Sequence, residues 1–277
     1  MIKSNKKQKI LFFFLIFICQ LLHTNVEMQE KQIVVVTASY NNKEWYQKNL
    51  DSFFSQDYKS ARMIYIDDCS TDGTTELVEA YIAQNGFEDR ITLIKNDQRC
   101  GHLANQYNAI HSCHNEDIIV ILDGDDWFAH NHVLSYINNV YSDPTIWMTF
   151  GQFKFLSNGR IPRFRHYSEK RIKNNDFRKD PFYLSHLRTF YAGLFKKIKR
   201  ADLIYEDDFF KMAADRATMY PMIEMASKGH FKLLDEVLLI YNNKNSLNCL
   251  KTARRLCFRL TRYIQKQPKY EPIETYK

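Results

Sequence analysis

The sequence predicts an α/β fold with a mostly parallel central sheet flanked by helices. Two observations support this prediction. Between residues 31 and 122, short apolar segments rich in β-branched residues alternate with longer segments whose apolar residues recur at helical spacing. Polar residues follow directly after three of the apolar segments, at the edge where parallel α/β sheets bind ligands. A chain of 277 residues, 45% hydrophobic and 26% charged, can form one large domain of this type or two small ones.

The first part of the chain contains four predicted strands separated by three predicted helices. Leu50, Phe53 and Phe54 illustrate the helical spacing, because positions i, i+3 and i+4 share one face of a helix. The predicted strands are Ile33–Val36, Met63–Ile66, Ile91–Ile94 and Ile118–Leu122, and the predicted helices are Glu44–Ser55, Thr74–Ala83 and Leu103–Ser112.

After residue 131 the pattern is less regular. A turn signal, Ser157-Asn158-Gly159, follows a predicted strand, and the strongly basic segment Arg160 to Lys179 comes next. This segment is consistent with a solvated loop and also with a loop that faces an anionic ligand or acceptor. In this part of the chain we predict helices at His132–Tyr141, Tyr183–Phe195 and Met219–Lys228 and strands at Trp147–Phe155 and Leu233–Tyr241.

The C-terminal segment, residues 249–277, predicts a basic amphipathic tail. Leu250, Ala253, Cys257, Leu260 and Ile264 fall on one helical face. Such a helix can lie on an anionic membrane surface, or it can dock on the domain with its charged side in solvent. The basic residues on the rest of the helix are Arg254, Arg255, Arg259, Arg262 and Lys266.

Residues 1–30 predict a signal peptide or a short membrane anchor. Four lysines within the first nine residues precede an apolar segment, Ile10 to Leu22, which only Gln20 interrupts. About 20 apolar residues are needed to cross a bilayer, so this segment is short for a span and typical of a signal peptide. Both interpretations predict a membrane-associated or secretory protein. A third, a helix buried in the domain, leaves the protein cytoplasmic.

The cysteines and the charge distribution argue against two classes of protein. The six cysteines form no CxxC pair and have no Cys/His zinc spacing, so free thiols are expected. The net charge is +7, but acidic residues gather at the predicted strand ends, while basic residues gather in the segment Arg160 to Lys179 and at the C-terminus. A nucleic-acid-binding protein would present one continuous basic face, so we expect no nucleic-acid partner.

The most informative segment is Ile118 to Trp127, where a predicted buried strand runs into acidic residues. Five apolar residues are followed by Asp123, Gly124, Asp125 and Asp126. Residues i and i+2 of an extended chain point to the same side, so the first two carboxylates can converge. Such a pair suits Mg²⁺ or Mn²⁺, particularly a cation that also holds phosphate oxygens. An acidic turn after a strand is the alternative interpretation.

Four segments together resemble the family-2 inverting glycosyltransferases, which have the GT-A fold. They are Val34–Asn42, Tyr65–Thr74, Asn96–Asn108 and Leu122–Trp127, and the resemblance covers residues 32–126 closely. It implies an enzyme that moves a sugar from a nucleotide-sugar donor, a UDP-sugar, to an acceptor hydroxyl, with Mn²⁺ or Mg²⁺ as cofactor. The acceptor stays open as a glycan, a lipid or a protein. The implied organisation is a nucleotide-sugar-binding half, residues 31–130, and an acceptor-binding half with the catalytic base, residues 131–248.

The resemblance also implies which residues bind the donor. Thr37, Ser39 and Tyr40 would line the nucleoside pocket, with backbone groups and hydroxyls available to the base and the ribose. Asp68 would hydrogen-bond the nucleotide base, and Asp123 would lie near the ribose and the cation.

The implied metal ligands are Asp123 and Asp125, of which the second would hold the cation that bridges the diphosphate. That cation would neutralise the charge that develops on the departing nucleoside diphosphate. Arg99, His186 and Arg188 are candidate contacts of the diphosphate or the acceptor.

The catalytic base of an inverting transferase is a carboxylate that takes the proton of the acceptor hydroxyl as it attacks. The segment Met212–Gly229 resembles the family region in which this acid precedes an apolar helix, so Asp215 is the predicted base. Ala214 stands where the family usually has a second acid. The acidic run Glu206–Asp208 is the second candidate.

Two other functions are consistent with parts of this pattern. A nucleotidyltransferase or phosphoryl transferase also uses paired aspartates and a metal, but it should show a Gly-rich phosphate loop, and the sequence has none. A catalytically inactive nucleotide-sugar-binding module is consistent with Ala214. Such a module would release no free nucleoside diphosphate from a donor in the presence of Mn²⁺.

Overall fold

A computed structural model of the chain describes residues 30–247, 251 and 253–277. The apolar segment Ile10 to Leu22 lies outside these residues, so the signal peptide and anchor interpretations stay predictions. Within the described ranges, no helix is long and apolar enough to span a bilayer.

The chain alternates strands and helices as far as residue 140 and is less regular beyond it. The strands are β1 (Ile33–Ser39), β2 (Ala61–Asp67), β3 (Ile91–Lys95), β4 (Ile118–Ile121), β5 (Trp127–Phe128), β6 (Met148–Phe155), β7 (Arg188–Tyr191), β8 (Ile204–Tyr205), β9 (Asp208–Phe209) and β10 (Phe231–Tyr241). The helices are α1 (Tyr46–Phe54), α2 (Thr74–Asn85), α3 (His102–His111), α4 (Val133–Val140), α5 (Glu169–Lys173), α6 (Ala192–Lys196), α7 (Ala214–Met225) and α8 (Arg254–Lys266).

Eight of these strands form one sheet in the order β3-β2-β1-β4-β7-β6-β10-β5. The four strands from β3 to β4 are mutually parallel, and β10 is parallel to β6. The strands β7 and β5 run antiparallel to their neighbours. Helices pack against the sheet, so the predicted α/β fold with a mostly parallel central sheet is confirmed. Strands from both predicted halves of the chain belong to this one sheet.

The predicted helix Tyr183–Phe195 is wrong. Its middle forms β7, all four residues of which are buried, and only the short helix α6 follows. β7 lies antiparallel between β4 and β6, where both of its faces are covered by the protein. The four residues of β7, Arg-Thr-Phe-Tyr, are all buried and show no alternation of polar and apolar residues, so their spacing alone does not distinguish a strand from a helix.

The C-terminal helix α8 is fixed to the domain by a buried ion pair. Cys257, Leu260 and Ile264 face the core, as the sequence pattern predicts. The Arg178 guanidinium donates two hydrogen bonds to the carboxylate of Glu224, at 2.5 and 2.7 Å, and it also donates to the carbonyls of Ile264 and Gln267 at the end of α8. The helix therefore has a defined orientation, with its basic face outward.

Candidate active site

The candidate site lies where three adjacent parallel strands end. β1 lies between β2 and β4, and the three strands end at Ser39, Asp67 and Ile121. The polar segments that follow them are therefore brought to one edge of the sheet, as the sequence predicts for Thr37–Asn41, Asp67–Asp68 and Asp123–Asp125.

The loop that follows β1 is tied to the loop that follows β2. The backbone N–H of Asn41 donates to the hydroxyl of Ser70, and that of Asn42 donates to the hydroxyl of Thr74, both at 2.9 Å. Ser39 accepts a hydrogen bond from the hydroxyl of Tyr65 at 2.8 Å. These contacts hold the first two polar segments in one fixed arrangement.

Of the three residues predicted to line the nucleoside pocket, the structure leaves one side chain open. Thr37 and Ser39 are 0% and 1% exposed, so their side chains are buried beneath the crevice and do not line it. Tyr40 is partly exposed, and the guanidinium of Arg99 lies over its ring, with Cζ 3.4 Å from the ring centroid. A planar cation stacked on a tyrosine forms a flat, polar platform at the mouth of the crevice.

Asp68 organises the Arg99 side of the crevice. Its carboxylate accepts hydrogen bonds from Asn96 and Arg99 and from the backbone N–H groups of Cys100 and Gly101, all between 2.8 and 3.0 Å. Burial acts to raise the pKa of Asp68, but the hydrogen bonds it accepts lower that pKa below its usual value. The group is therefore a fixed anion that positions Arg99.

The acidic turn after β4 is held by the side chain of Asn49. This amide donates to the carbonyls of Asp123 and Asp126, at 3.0 and 2.7 Å. Asn49 is 0% exposed, and it lies on α1, which packs beside the turn. The turn is thus set by an internal hydrogen-bond partner and does not depend on a ligand for its shape.

Positive groups surround Asp123 on two sides. One carboxylate oxygen lies 3.6 Å from Nε2 of His102, and the other lies 3.6 Å from Nη2 of Arg188. Nη2 of Arg188 is in turn 3.2 Å from Nδ1 of His186. Burial acts to raise the pKa of Asp123, but its electrostatic interactions with His102 and Arg188 lower it below its usual value. Two of the predicted diphosphate contacts, His186 and Arg188, therefore lie beside this carboxylate.

The pKa values of the next two acids, Asp125 and Asp126, are shifted in the opposite direction. Burial and the charge of Asp123 raise the pKa of Asp125 to about 6. Burial together with Asp125 and Asp123 raises the pKa of Asp126 well above its usual value. Their hydrogen-bond donors are distant in sequence: Asn245 donates to Asp125 at 2.7 Å, and the backbone N–H of Asn242 donates to Asp126 at 2.7 Å.

This arrangement fits a divalent cation. Buried carboxylate oxygens of Asp123 and Asp126 have no hydrogen-bond partner, and a cation bound beside them would offset the cost of burying these charges. Ligand atoms of Asp123, Asp126 and His186 lie within 4.8 Å of one another. The sequence had predicted Asp125 as the second ligand, and that carboxylate is partly exposed beside them. The carboxylate oxygens suit Mn²⁺ and Mg²⁺, whereas an imidazole donor suits a transition metal.

The two candidates for the catalytic base occupy different kinds of structure. Asp215 lies in the first turn of α7, 29% exposed, and its negative charge acts on His186, a member of the acidic cluster. Of the run Glu206–Asp208, the first two residues form the turn between β8 and β9, and Asp208 begins β9 with its side chain 55% exposed. Asp215 is thus close enough to His186 for its charge to act on that ring, while the turn is an exposed hairpin end.

Sequence reasoning missed four residues that shape the site: His102, Asn49, Asn242 and Asn245. His102 was inside a segment that resembles the family, and its position at the start of α3 after a glycine was a usable signal. The asparagines act from far along the chain, since Asn245 follows its partner by 120 residues. No local pattern indicates such a contact.

Gly124 is required by close packing within the acidic turn. A Cβ at this position would lie 2.7 Å from the side-chain nitrogen of Asn42 and 2.8 Å from Cβ of Ser39. We expect Gly124→Ala to lower the free energy of unfolding by about 1–3 kcal/mol, as overpacking does, in urea titrations. The substitution Ser39→Gly removes one of the two clashing groups, so it should recover part of this loss in the double variant. Equal stability of Gly124→Ala and the unmodified protein would contradict the packing.

Solved structures show which class of fold this is. S. aureus TarS 1-349 in complex with UDP-GlcNAc has a TM-score of 0.64 at 16% identity, over 84% of this chain and 65% of that chain. The mannosyltransferase PcManGT from Pyrobaculum calidifontis, in complex with GDP-Man and Mn²⁺, has a TM-score of 0.52 at 18% identity, over 76% of this chain and 55% of that chain. The fold of the chain is therefore of the GT-A type.

The family follows from sequence similarity. A family model described as glycosyl transferase family 2 matches residues 34–199, more than half of the chain, and the chain belongs to this family. The glycosyltransferase EpsE of Bacillus subtilis is 36% identical over 95 residues, which are 34% of this chain and 33% of EpsE. The colanic acid biosynthesis glycosyl transferase WcaA of Escherichia coli is 30% identical over 131 residues, 40% of this chain and 46% of WcaA. The chain thus spans less than half the length of these relatives.

Proposed function

We propose that this protein is an inverting glycosyltransferase that moves a sugar from a UDP-sugar to an acceptor hydroxyl with the help of a divalent cation. One observation carries the proposal: the acidic turn after β4 lies at the same sheet edge as the loops of the nucleoside crevice. Membership of glycosyl transferase family 2 supports sugar transfer over nucleotidyl transfer. UDP and UDP-GlcNAc are bound by TarS, and this favours a uridine nucleotide here.

In this proposal the nucleoside binds at the platform formed by Tyr40 and Arg99. A base has a flat π face, and stacking on an aromatic ring or a guanidinium plane is a general way to hold it. Asp68 fixes Arg99 through the hydrogen bond at 3.0 Å. The carboxylate of Asp68 already accepts hydrogen bonds from four groups, so it can bond to the nucleotide base only if the base replaces one of these donors.

We propose that Asp123 and Asp125 hold the cation, because both carboxylates are partly exposed. Asp126 is 1% exposed, and its carboxylate is bonded to the backbone of Asn242, which suits a supporting role. A bound divalent cation supplies Lewis-acid stabilisation of the diphosphate leaving group. The protein's own groups, His102 and Arg188, hold Asp123 ionised so that it is ready to bind.

Asp215 is proposed as the base that removes the proton of the acceptor hydroxyl. It needs to be ionised, reachable from solvent and directed to the reacting carbon from the side opposite the diphosphate. Its partial exposure agrees with the second requirement. Burial and the charge of Arg188 lower the pKa of His186 to about 3, so this neighbouring imidazole is neutral and is not itself a proton donor near pH 7.

The test is a thermal-shift screen of nucleotide sugars with and without Mn²⁺, followed by an assay for free nucleoside diphosphate. A ligand at about 100 times its Kd stabilises a protein by about 2.7 kcal/mol, which raises the Tm of a chain of this size by roughly 5–10 °C. We expect this shift with a UDP-sugar and Mn²⁺, a smaller shift without the metal, and nucleoside diphosphate release on addition of the acceptor.

The variants Asp125→Asn and Asp126→Asn form a matched pair for the metal assignment. Asp125→Asn should remove the Mn²⁺-dependent part of the shift, while Asp126→Asn should keep it. The reverse result would indicate that Asp123, Asp126 and His186 hold the cation instead. A shift without any nucleoside diphosphate release would favour the inactive binding module.

A further inference from the structure

Helix α8 presents a basic and aromatic face to solvent that the proposed reaction does not use. Four cationic side chains and three aromatic rings line a shallow groove of about 550 Å³ along this helix. The exposed fractions of Phe258 and Tyr263 are 53% and 45%, among the highest of the large hydrophobic side chains. The lining residues are Tyr205, Arg255, Phe258, Arg259, Arg262, Tyr263 and Lys266.

The charge of this face is one-sided. From Lys251 to Lys269 the sequence contains seven basic residues and no acidic one. The nearest acidic residue in the chain order is Glu271, beyond the end of α8. The turn after Tyr205 brings one further carboxylate, that of Glu206, to one edge of the groove. The groove itself therefore carries a net positive charge over a helix of 13 residues, about 20 Å long.

Helix α8 cannot rotate about its axis to bury these basic side chains. The opposite side of α8 is occupied by the core contacts of Cys257, Leu260 and Ile264, and the end of the helix is fastened by Arg178. The ring of Tyr263 packs against Tyr205, with centroids 4.8 Å apart. A rigid helix thus displays arginines on either side of a projecting phenylalanine, a pattern suited to a flat anionic surface.

We propose that this face, defined as Arg255, Phe258, Arg259, Arg262 and Lys266, docks the protein on an anionic lipid bilayer. Arginine and lysine near such a surface are attracted to its acidic headgroups, and an aromatic side chain at the headgroup level adds apolar contact. The chain's own N-terminal segment is a poor occupant by charge, because the residues before its apolar run contain four lysines and no acid. The inference does not depend on the proposed catalytic function.

The experiment is flotation of the full chain with vesicles of phosphatidylcholine alone or with about 30% phosphatidylglycerol, a bilayer of negative surface potential. The test variant carries Arg255→Glu, Arg259→Glu and Arg262→Glu, all at exposed positions. The control carries Arg163→Glu, Lys170→Glu and Lys173→Glu, which are also exposed and change the net charge equally. Arg→Gln replacements at the three α8 positions serve as a second test variant with a milder change, and thermal melts check folding.

We expect binding of the unmodified chain to anionic vesicles, with the partition coefficient reduced more than about tenfold in the test variant, since each basic residue near the surface contributes about 1 kcal/mol. The control variant should bind within a factor of about two of the unmodified chain, because its three residues do not line the groove. Binding should also weaken when salt is raised from about 0.1 M to about 1 M, which shortens the Debye length from about 10 Å to about 3 Å. Phe258→Ser should reduce binding severalfold at low salt.

Three results would overturn the proposal. Equal vesicle binding by the unmodified chain and the test variant would place the membrane contact elsewhere in the chain. Equal binding to neutral and anionic vesicles would remove the role of charge. Retention on a soluble polyanion such as dextran sulfate, with the same arginine dependence and no vesicle binding, would assign the groove to an anionic glycan.

Discussion

The variant Asp215→Asn is expected to lose sugar transfer by a factor of roughly 10²–10⁴ in kcat, the contribution typical of a positioned general base. Asparagine has nearly the same shape, and its side-chain oxygen can still accept the hydrogen bond that the backbone N–H of Arg216 donates at 2.9 Å. It cannot take up the acceptor proton. Steady-state kinetics with a UDP-sugar, together with donor affinity by titration calorimetry, measure the two effects separately.

Donor affinity should stay within about twofold in this variant, because the proposed nucleoside and metal groups are untouched. Asp208→Asn is the matched control, since Asp208 is the exposed acid of the competing candidate run. That control should retain nearly full activity. If Asp208→Asn loses transfer and Asp215→Asn does not, the base belongs to the β8–β9 turn.

Removal of the buried carboxylate in Glu224→Ala is expected to lower the free energy of unfolding by about 3–5 kcal/mol. The Glu224 side chain is 0% exposed and that of Arg178 is 8% exposed, so the variant leaves a guanidinium buried without its counter-charge. The backbone N–H of Tyr270 also loses its acceptor, the Glu224 carboxylate at 2.9 Å. Denaturant titration gives the stability, and limited proteolysis after α8 reports whether the C-terminal segment has come loose.

Two further variants test whether burial of the ion pair is the reason for this loss of stability. Arg178→Met combined with Glu224→Leu should recover part of the loss, because no buried charge remains, but not all of it, because the carbonyls of Ile264 and Gln267 lose their donor. Asp180→Ala, which breaks a more exposed pair with Arg171 at 3.0 Å, should cost less than about 1 kcal/mol. An equal cost for both single variants would show that burial of the pair is not the reason.

The parallel part of the fold and the acidic turn follow from the sequence because both are local. Strands β1, β2 and β4 each contain a continuous apolar run of four residues, and polar residues lie at or just beyond the end of each strand. Such runs indicate buried strands, and the rule that parallel strands end at one edge places their polar residues together. The predicted proximity of the three polar segments is therefore an outcome of topology, which needs no knowledge of side-chain packing.

Contacts made across the sheet could not be predicted in this way. The sequence pattern predicts a helix where β7 lies, and it is this strand that carries Arg188 to the carboxylate of Asp123. The partners Asn242 and Asn245 act on the acidic turn from beyond β10. Asparagine is common in loops, so its presence there indicates no particular partner until the register of the strands is known.

The insertion of β7 between β4 and β6 has a consequence for the order in which the site is completed during synthesis. The segments that bear Asp68 and Asp123 precede the cation of Arg188 by 120 and 65 residues in the chain. A nascent chain that has emerged only as far as β5 carries the clustered carboxylates of the acidic turn without that counter-charge and without the backbone donor of Asn242. The acidic turn therefore gains these partners only when the second half of the chain joins the same sheet.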